Sequence, residues 1–409
     1  MINFLYVIIY LGDKMSKVVV IGAGASGIIA ALKASEKNEV ILLEISDKCG
    51  KKILLTGNGR CNYWNSNINI NNYQTDDIVK LENILKNKDT VLDYLYNLGI
   101  YPKIKNDLYY PYSNQASSIE QIFLNELNKR NIKIKTNYKI KEIIKNDKFI
   151  IKSDTEEIVS DKLVIATGSK ALNKTDDTMF NILKKFNHKI NPVLPSLVPL
   201  KTNKEDWNGV RCDALVSLYI NDKLIKQETG EIQLTDYGVS GICIFNISGI
   251  VSKNLYLKNK ANLKINFLPT INNMYEFIEK RNKILKNYNI EELLESLLPY
   301  KLLFVILKKS KIKKDEYWNK LNSEQKNNLC RNIESFELEV TDTLSYDRSQ
   351  VCTGGVSLKE VNTNMESVKI KDLYIVGEIL DVDGICGGFN LAFAFITGYI
   401  AGSDICVKS

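Results

Sequence analysis

The sequence predicts an α/β fold in which one Rossmann-like domain is assembled from both ends of the chain, around an insert of roughly 150 residues. Three observations predict it. A β-branched run, Val18-Val19-Val20-Ile21, leads into Gly22-Ala23-Gly24-Ala25-Ser26-Gly27 and then into helix formers, the strand–turn–helix order of a dinucleotide-binding unit. After Pro192, Pro195 and Pro199 the pattern changes to short alternating segments. From about Thr341 the glycine-rich, buried-strand character returns, in Cys352-Thr353-Gly354-Gly355-Val356 and Leu373-Tyr374-Ile375-Val376-Gly377-Glu378. The expected boundaries are 15–192 with 342–409 for the split domain, 193–271 for a β-rich insert and 272–341 for a helical one.

Taken in order, Ile28 to Lys37 carries good helix formers such as Ala30, Ala31 and Leu32. Val40 to Leu43 is a second strand buried on both faces. Lys51 to Asn65, dense in Gly and polar residues, is expected to be a loop. Apolar spacing predicts one helix over Leu81 to Leu98, and Ser117-Ser118-Ile119-Glu120 starts another that runs to about Asn128. Short strands follow over Ile132 to Ile144, Phe149 to Lys152 and Glu157 to Val159, ending in the buried strand Leu163-Val164-Ile165-Ala166. In the insert, Leu215 to Ile220, Leu224 to Lys226 and Glu231 to Leu234 alternate, and turns at Asn221-Asp222 and Thr229-Gly230 join them into a β-meander. Asn273 to Arg331 is mostly helical, and a last helix is expected over Leu391 to Ala401.

At 409 residues the chain has room for two or three domains with cores of their own. Its 44% apolar and 25% charged residues are those of a globular protein and argue against disorder. The net charge of +7 raises the question of nucleic acid. Yet there are only six arginines, Arg60, Arg130, Arg211, Arg281, Arg331 and Arg348, and the lysines are spread along the chain, so nucleic acid is not the expected partner. The eight cysteines include no C-x-x-C pair, and with the single histidine, His188, they make no zinc signature. They read as the reduced thiols of a cytoplasmic protein. Phe4 to Leu11 is an apolar run far shorter than the ~20 residues of a membrane helix, and it lacks the flanks of a signal peptide. No other segment reads as membrane-spanning. The residues before Met15 are read as an upstream extension, with an edge strand as the alternative.

Chemistry begins at the glycine turn. Gly22 permits the tight bend, and Gly24 lets backbone N–H groups approach a pyrophosphate. Gly27 lets the helix sit close to the sheet, and the helix start at Ala25 and Ser26 favours negative charge. Glu44, 20 residues past Gly24, suits ribose hydroxyls and repels a 2′-phosphate. Two later segments narrow the ligand. Gly50 to Asn62 (GKKILLTGNGRCN) offers close backbone amides and Arg60 to a long anionic cofactor. Gly377-Glu378 with Asp383-Gly384 puts acids at a strand end, where they suit ribityl hydroxyls that NAD lacks. Gly387-Gly388-Phe389-Asn390-Leu391 then opens a helix whose N-terminus suits the pyrimidine end of a flavin. FAD is therefore the expected cofactor.

Gly50 to Asn62 and Gly377 to Asn390 (GEILDVDGICGGFN) closely resemble the BaiN/RdsA family of NAD(P)/FAD-dependent oxidoreductases, which includes the aminoacetone oxidases. Ala166-Thr167-Gly168, Thr235-x-x-Gly238-x-Ser240-Gly241, and Val351-x-x-Gly354-Gly355-Val356 with Met365-Glu366-Ser367 fit as well, and the resemblance spans Lys17 to Gly402. It implies a discontinuous, glutathione-reductase-type FAD domain with an inserted β-barrel domain and a small helical domain. It further implies FAD contacts on Gly22 to Gly27, on Glu44, on Gly59, Arg60, Cys61 and Asn62, on Ala166, Thr167 and Gly168, and on Gly377 to Leu391. A backbone contact to adenine near Ile140 follows from the position of its strand. The chain departs from the family pattern at Ser169 to Asp177, where a glycine-rich continuation is usual, and at Asp236, where His is common. Both departures put borrowed substrate chemistry in doubt and leave the cofactor untouched.

The expected activity is two-electron transfer through FAD to or from a small organic substrate. No second Gly-x-Gly-x-x-Gly follows a strand, so NADH or NADPH as donor would enter the cavity only transiently. An amine oxidase using O₂ is one alternative. A flavin-dependent RNA-modifying enzyme is another, motivated by the net charge and by Lys308, Lys309, Lys311, Lys313 and Lys314; a flavin-binding regulator without turnover is a third. No acid–base pair can be assigned. His188 is expected in a surface or loop role, Cys61 and Cys386 as small packing residues, and Tyr237 as either cavity or core.

Overall fold

The computed structural model describes residues 15–173 and 176–409, so the expectations for Phe4 to Leu11 and the rest of the extension lie outside the described residues. Five parallel strands, β1 (Lys17–Ile21), β2 (Glu39–Leu43), β3 (Lys133–Lys135), β4 (Lys162–Ile165) and β5 (Leu373–Ile375), form one sheet in the order β5-β4-β1-β2-β3. β1 is central, with Val19 opposite Ile41 on one side and Leu163 on the other. Val18 to Ile21 are all buried, as a parallel strand covered on both faces requires. The edge strand β5 comes from the far end of the chain, so the two ends build one domain.

Helix α1 (Ala25–Ala34) packs on this sheet, α2 (Lys51–Leu55) follows β2, α3 (Ile242–Tyr256) lies in the insert and shares its core, and α4 (Phe389–Val407) packs against α1. α1 and α4 cross so closely that a Cβ on Gly398 would stand 2.3 Å from the Ser26 carbonyl oxygen. α4 is 19 residues long and apolar enough to cross a membrane, but two-thirds of it is buried inside the fold. That burial accounts for its composition.

The insert is a closed six-stranded barrel, ordered Leu200–Thr202, Gly238–Ser240, Lys223–Leu234, Arg211–Ile220, Ala261–Asn266, Phe336–Thr343. Thr343 of the last strand returns to Leu200 of the first. Ala261, Leu263 and Ile265 point inward in alternation with their neighbours. Helices Met274–Ile284, Ile290–Leu294, Tyr300–Lys309 and Ser323–Glu334 lie between the last two barrel strands. They share the barrel's core: Leu294, Leu302 and Ile333 belong to the same apolar cluster as Trp207, Leu263 and Phe336. The segment 272–341, expected as a small helical domain, is thus an excursion from the barrel and includes most of its closing strand.

Four local expectations change. Lys51 to Asn65 is not all loop, because Lys51–Leu55 is helical and Thr56–Gly59 is a 3₁₀ turn; straight-chain Lys and Leu residues favour helix despite the flanking glycines. The single helix expected over Leu81 to Leu98 is two, Ile78–Leu85 and Lys88–Asn97. Asn87 turns back at the break, its Nδ2 donating to the Ile84 carbonyl at 3.1 Å. Thr229-Gly230 is no turn: the strand runs through it with Thr229 opposite Leu215 and Gly230 opposite Ala214. A Cβ on Gly230 would make only an ordinary 4.0 Å contact with that of Cys243 on α3, so close packing is not what keeps a glycine in this strand. His188 lies in a turn, but it is buried, with Nε2 2.8 Å from Ser367 Oγ and Nδ1 3.3 Å from the Leu183 carbonyl. Burial lowers its pKa, and the residue fastens a turn.

Candidate functional site

A cleft, partly open to solvent, runs along the C-terminal ends of β1, β2 and β4. Of the residues expected at a cofactor, Gly22, Gly24, Ala25, Ser26, Glu44, Ile140, Ala166, Thr167, Gly168, Glu378, Asn390 and Leu391 line it. Gly22, with φ near 101°, bends the chain out of β1, and its N–H donates to the Leu43 carbonyl at 2.7 Å. A Cβ on Gly27 would lie 1.8 Å from the Gly22 carbonyl oxygen, whereas nothing stands within 4 Å of one on Gly24. Gly27 therefore serves the fold, and Gly24 leaves open space in front of α1. No side chain caps α1 and no acid sits in its first turn, so its N-terminal amides and dipole are left to face an anion. Glu44 Oε2 accepts the Ala23 N–H at 2.7 Å and Oε1 the Ser46 N–H at 2.8 Å; each oxygen keeps a lone pair for a sugar hydroxyl. Further along, Tyr138, Ile140, Met179 and Phe180 make apolar walls. These features fit a dinucleotide with a pyrophosphate at α1 and an aromatic base between apolar side chains.

The remaining expected residues do not line the cleft. Gly377 packs under α1, where a Cβ would meet Ser26 Oγ at 2.3 Å, and its N–H donates to Thr397 Oγ1 at 3.0 Å. The two long motifs meet each other: a Cβ on Gly388 would stand 2.5 Å from the Trp64 carbonyl oxygen. With its amide oxygen turned toward the Gly388 N–H (3.2 Å), Asn62 donates to the Trp64 carbonyl at 3.1 Å. Gly59 and Arg60 are exposed, and the Arg60 guanidinium stands 5.8 Å over the Tyr110 ring. Cys61 and Phe389 are buried, the latter edge-on to Tyr73. Burial pushes the thiols of Cys61 to about 11 and Cys386 to about 12, so neither is a thiolate nucleophile. The Cys386 N–H donates to Asn246 Oδ1 of α3 at 2.9 Å, which ties the insert to the loop ahead of α4. Tyr237 does not line the cleft.

Asp383 does not line the cleft and is buried, accepting from Thr353 Oγ1 at 2.7 Å and Ser196 Oγ at 3.0 Å. Burial pushes its carboxyl up to about 6, against the opposing pull of Lys253 and the two hydroxyls. The folded chain holds this proton more tightly than the unfolded one. Its contribution to stability is therefore full below about pH 4 and is lost as pH rises through about 6. Asp383→Asn is expected to match wild type near pH 4 and to exceed it by up to about 3 kcal/mol at pH 8, measured by urea unfolding across that range. A gap that does not grow with pH would contradict the assignment.

Sequence reasoning missed Lys52, Thr56, Ser169, Gln350 and Val351, which also line the cleft. Lys52 and Ser169 both bond Glu378. The signal for Lys52 was present in GKKILL, but only the helical placement of α2 turns that lysine toward Glu378.

A parallel sheet with a glycine turn, an acid at the end of β2 and a cleft across the strand ends defines a dinucleotide-binding protein of the Rossmann class. The chain belongs to the HI0933-like family, whose Rossmann-domain model matches residues 16–404. It is 34% identical to the 3-dehydro-bile acid Δ(4,6)-reductase of Clostridium scindens, over 95% of this chain and 98% of that one. It is 24% identical to the ribosomal RNA dihydrouridine synthase of Escherichia coli, over 95% and 97%. Among solved structures, 3-ketosteroid-Δ4-(5α)-dehydrogenase from Rhodococcus jostii shares the fold, with a TM-score of 0.50 at 14% identity over 98% of both chains.

Proposed function

We propose that the chain is an FAD-dependent reductase of a small, conjugated carbonyl compound, with NADH or NADPH as a transient donor. The observation that carries this reading is the full-length, 34% likeness to a reductase whose name places its double bonds at the 4 and 6 positions of a 3-oxo ring system. Bound FAD supplies the two-electron transfer. The residues of this chain hold and orient it: the amides at the start of α1 take the pyrophosphate, Glu44 the ribose, and Glu378 the ribityl chain. The N-terminus of α4, where Asn390 and Leu391 line the cleft, would favour negative charge gathering on a bound flavin. Asn390 keeps that helix start in place, accepting from the Gly384 N–H and donating to the Gly384 carbonyl, both at 2.8 Å. The insert, through Asn246, is tied to the loop before α4.

Anaerobic titration tests the reading. NADH or NADPH is expected to bleach the flavin, and an enone is expected to restore its colour. Bleaching by an amine and by neither nicotinamide would replace the reductase with an amine oxidase. The RNA-modifying reading has its own support in the 24% full-length relative; RNA binding no tighter than to a charge-matched polyanion at physiological salt would remove it.

A further inference from the structure

Lys52 stands on α2 with its ammonium bonded to Oε2 of Glu378. Oε1 of the same carboxylate accepts the Ser169 hydroxyl at 2.5 Å and the Cys352 backbone N–H at 3.2 Å. Three segments, α2, the stretch after β4 and the strand Val351–Val356, are thereby fastened to one acid in the middle of the cleft. Lys52 and Glu378 are both mostly buried, at 29% and 17% side-chain exposure. The adjoining Gly377 abuts Ser26, so the pair sits beside the start of α1 and its open space at Gly24. A pyrophosphate there brings negative charge close to a carboxylate that water screens poorly, and like charges at that range oppose each other unless a cation intervenes. Lys51, next along the helix, is already paired with Asp47. An ammonium on a flexible four-carbon stem can change acceptors without any movement of the helix that carries it.

We propose that Lys52 is a counter-ion that changes partner: it neutralises Glu378 in the FAD-free protein and turns to the pyrophosphate when FAD enters, releasing Glu378 Oε2 for a ribityl hydroxyl. The proposal rests on the FAD reading of this cleft. It has a consequence that a fixed brace does not share. Before binding, Glu378 and the pyrophosphate compete for one ammonium. Neutralising Glu378 therefore strengthens a ligand that carries only the pyrophosphate half, and weakens one that also needs the ribityl contacts.

The test uses the full chain stripped of FAD, titrated with FAD by flavin fluorescence and with ADP as competitor. Lys52→Met is expected to weaken both ligands by about tenfold to a hundredfold, the worth of one charge-assisted bond. Lys52→Arg, which keeps the charge, should bind ADP within about threefold of wild type. Glu378→Gln is expected to weaken FAD by about tenfold and to tighten ADP by about threefold or more. If Lys52→Met does not refold, Lys52→Gln and the ADP arm of Glu378→Gln decide the matter. ADP bound equally by wild type and Lys52→Met, or no tighter by Glu378→Gln than by wild type, overturns the proposal and leaves a static brace. Wild-type protein that binds neither FAD nor ADP would instead overturn the FAD reading beneath it.

Discussion

Gly24→Ala is expected to weaken FAD binding by at least tenfold while leaving the FAD-free fold within about 1 kcal/mol of wild type. Gly27→Ala, three residues on, is expected to damage both. The difference follows from where each new methyl group points. At Gly24 the backbone has an ordinary negative φ and the added carbon enters empty cleft, so its only conflict is with a ligand pressed against the turn. At Gly27 the carbon would stand 1.8 Å from the Gly22 carbonyl oxygen, and a backbone atom cannot move aside as a side chain can. Overpacking of that kind costs about 1–3 kcal/mol or more, and relief requires α1 to lift off the sheet. Thermal unfolding of the FAD-free chains, set beside flavin titration, separates the two. Equal loss of stability in both variants would mean that Gly24 serves the fold and not the cofactor.

Trp207→Ala is expected to cost about 3–5 kcal/mol, and to cost it in the insert alone. Trp207 is fully buried, 5.2 Å from the Phe336 ring on the closing barrel strand. Its cluster holds the barrel and its helices, whereas the parallel sheet, α1 and α4 form a second cluster. Two cores predict two unfolding steps. In urea, far-ultraviolet dichroism should report an early barrel transition in the variant while bound flavin is retained until a later one. A single transition followed equally by both signals would show one cooperative unit. Trp207→Phe is expected to be much milder, since the indole N–H is buried with no hydrogen-bond partner among the described residues, and removing an unpaired donor offsets part of the lost volume.

The split domain was legible because its signals are local and of the right period: β-branched runs for buried strands, glycines at the turn and an acid at the end of β2. The placement of the two long motifs was partly legible. That Gly388 and Asn62 meet could not be read from residues more than 300 positions apart in sequence, and neither could the burial of Asp383 against Thr353 and Ser196. Gly230 misled because a glycine between alternating segments is ordinarily the mark of a turn, whereas here the strand runs on through it, opposite Ala214. His188 misled because polar neighbours in the sequence, Asn187 and Lys189, say nothing about a hydroxyl at Ser367 arriving from elsewhere. Lys52 was hidden because lysine at a helix start ordinarily faces water, and its acid partner lies on the opposite end of the chain.

The sheet order β5-β4-β1-β2-β3 carries a consequence for the nascent protein. Synthesis runs at roughly 5–20 residues per second, so the glycine turn and α1 leave the ribosome tens of seconds before α4, the helix that must cover them. Loop closure over such a span is entropically slow to begin, and during the wait the part of α1 that α4 covers has no permanent neighbour. The barrel is complete once Thr343 has emerged and can fold first. Cofactor capture is then the last event of biogenesis, and a chain that terminates before Phe389 would carry an intact glycine fingerprint with nothing to press it into shape.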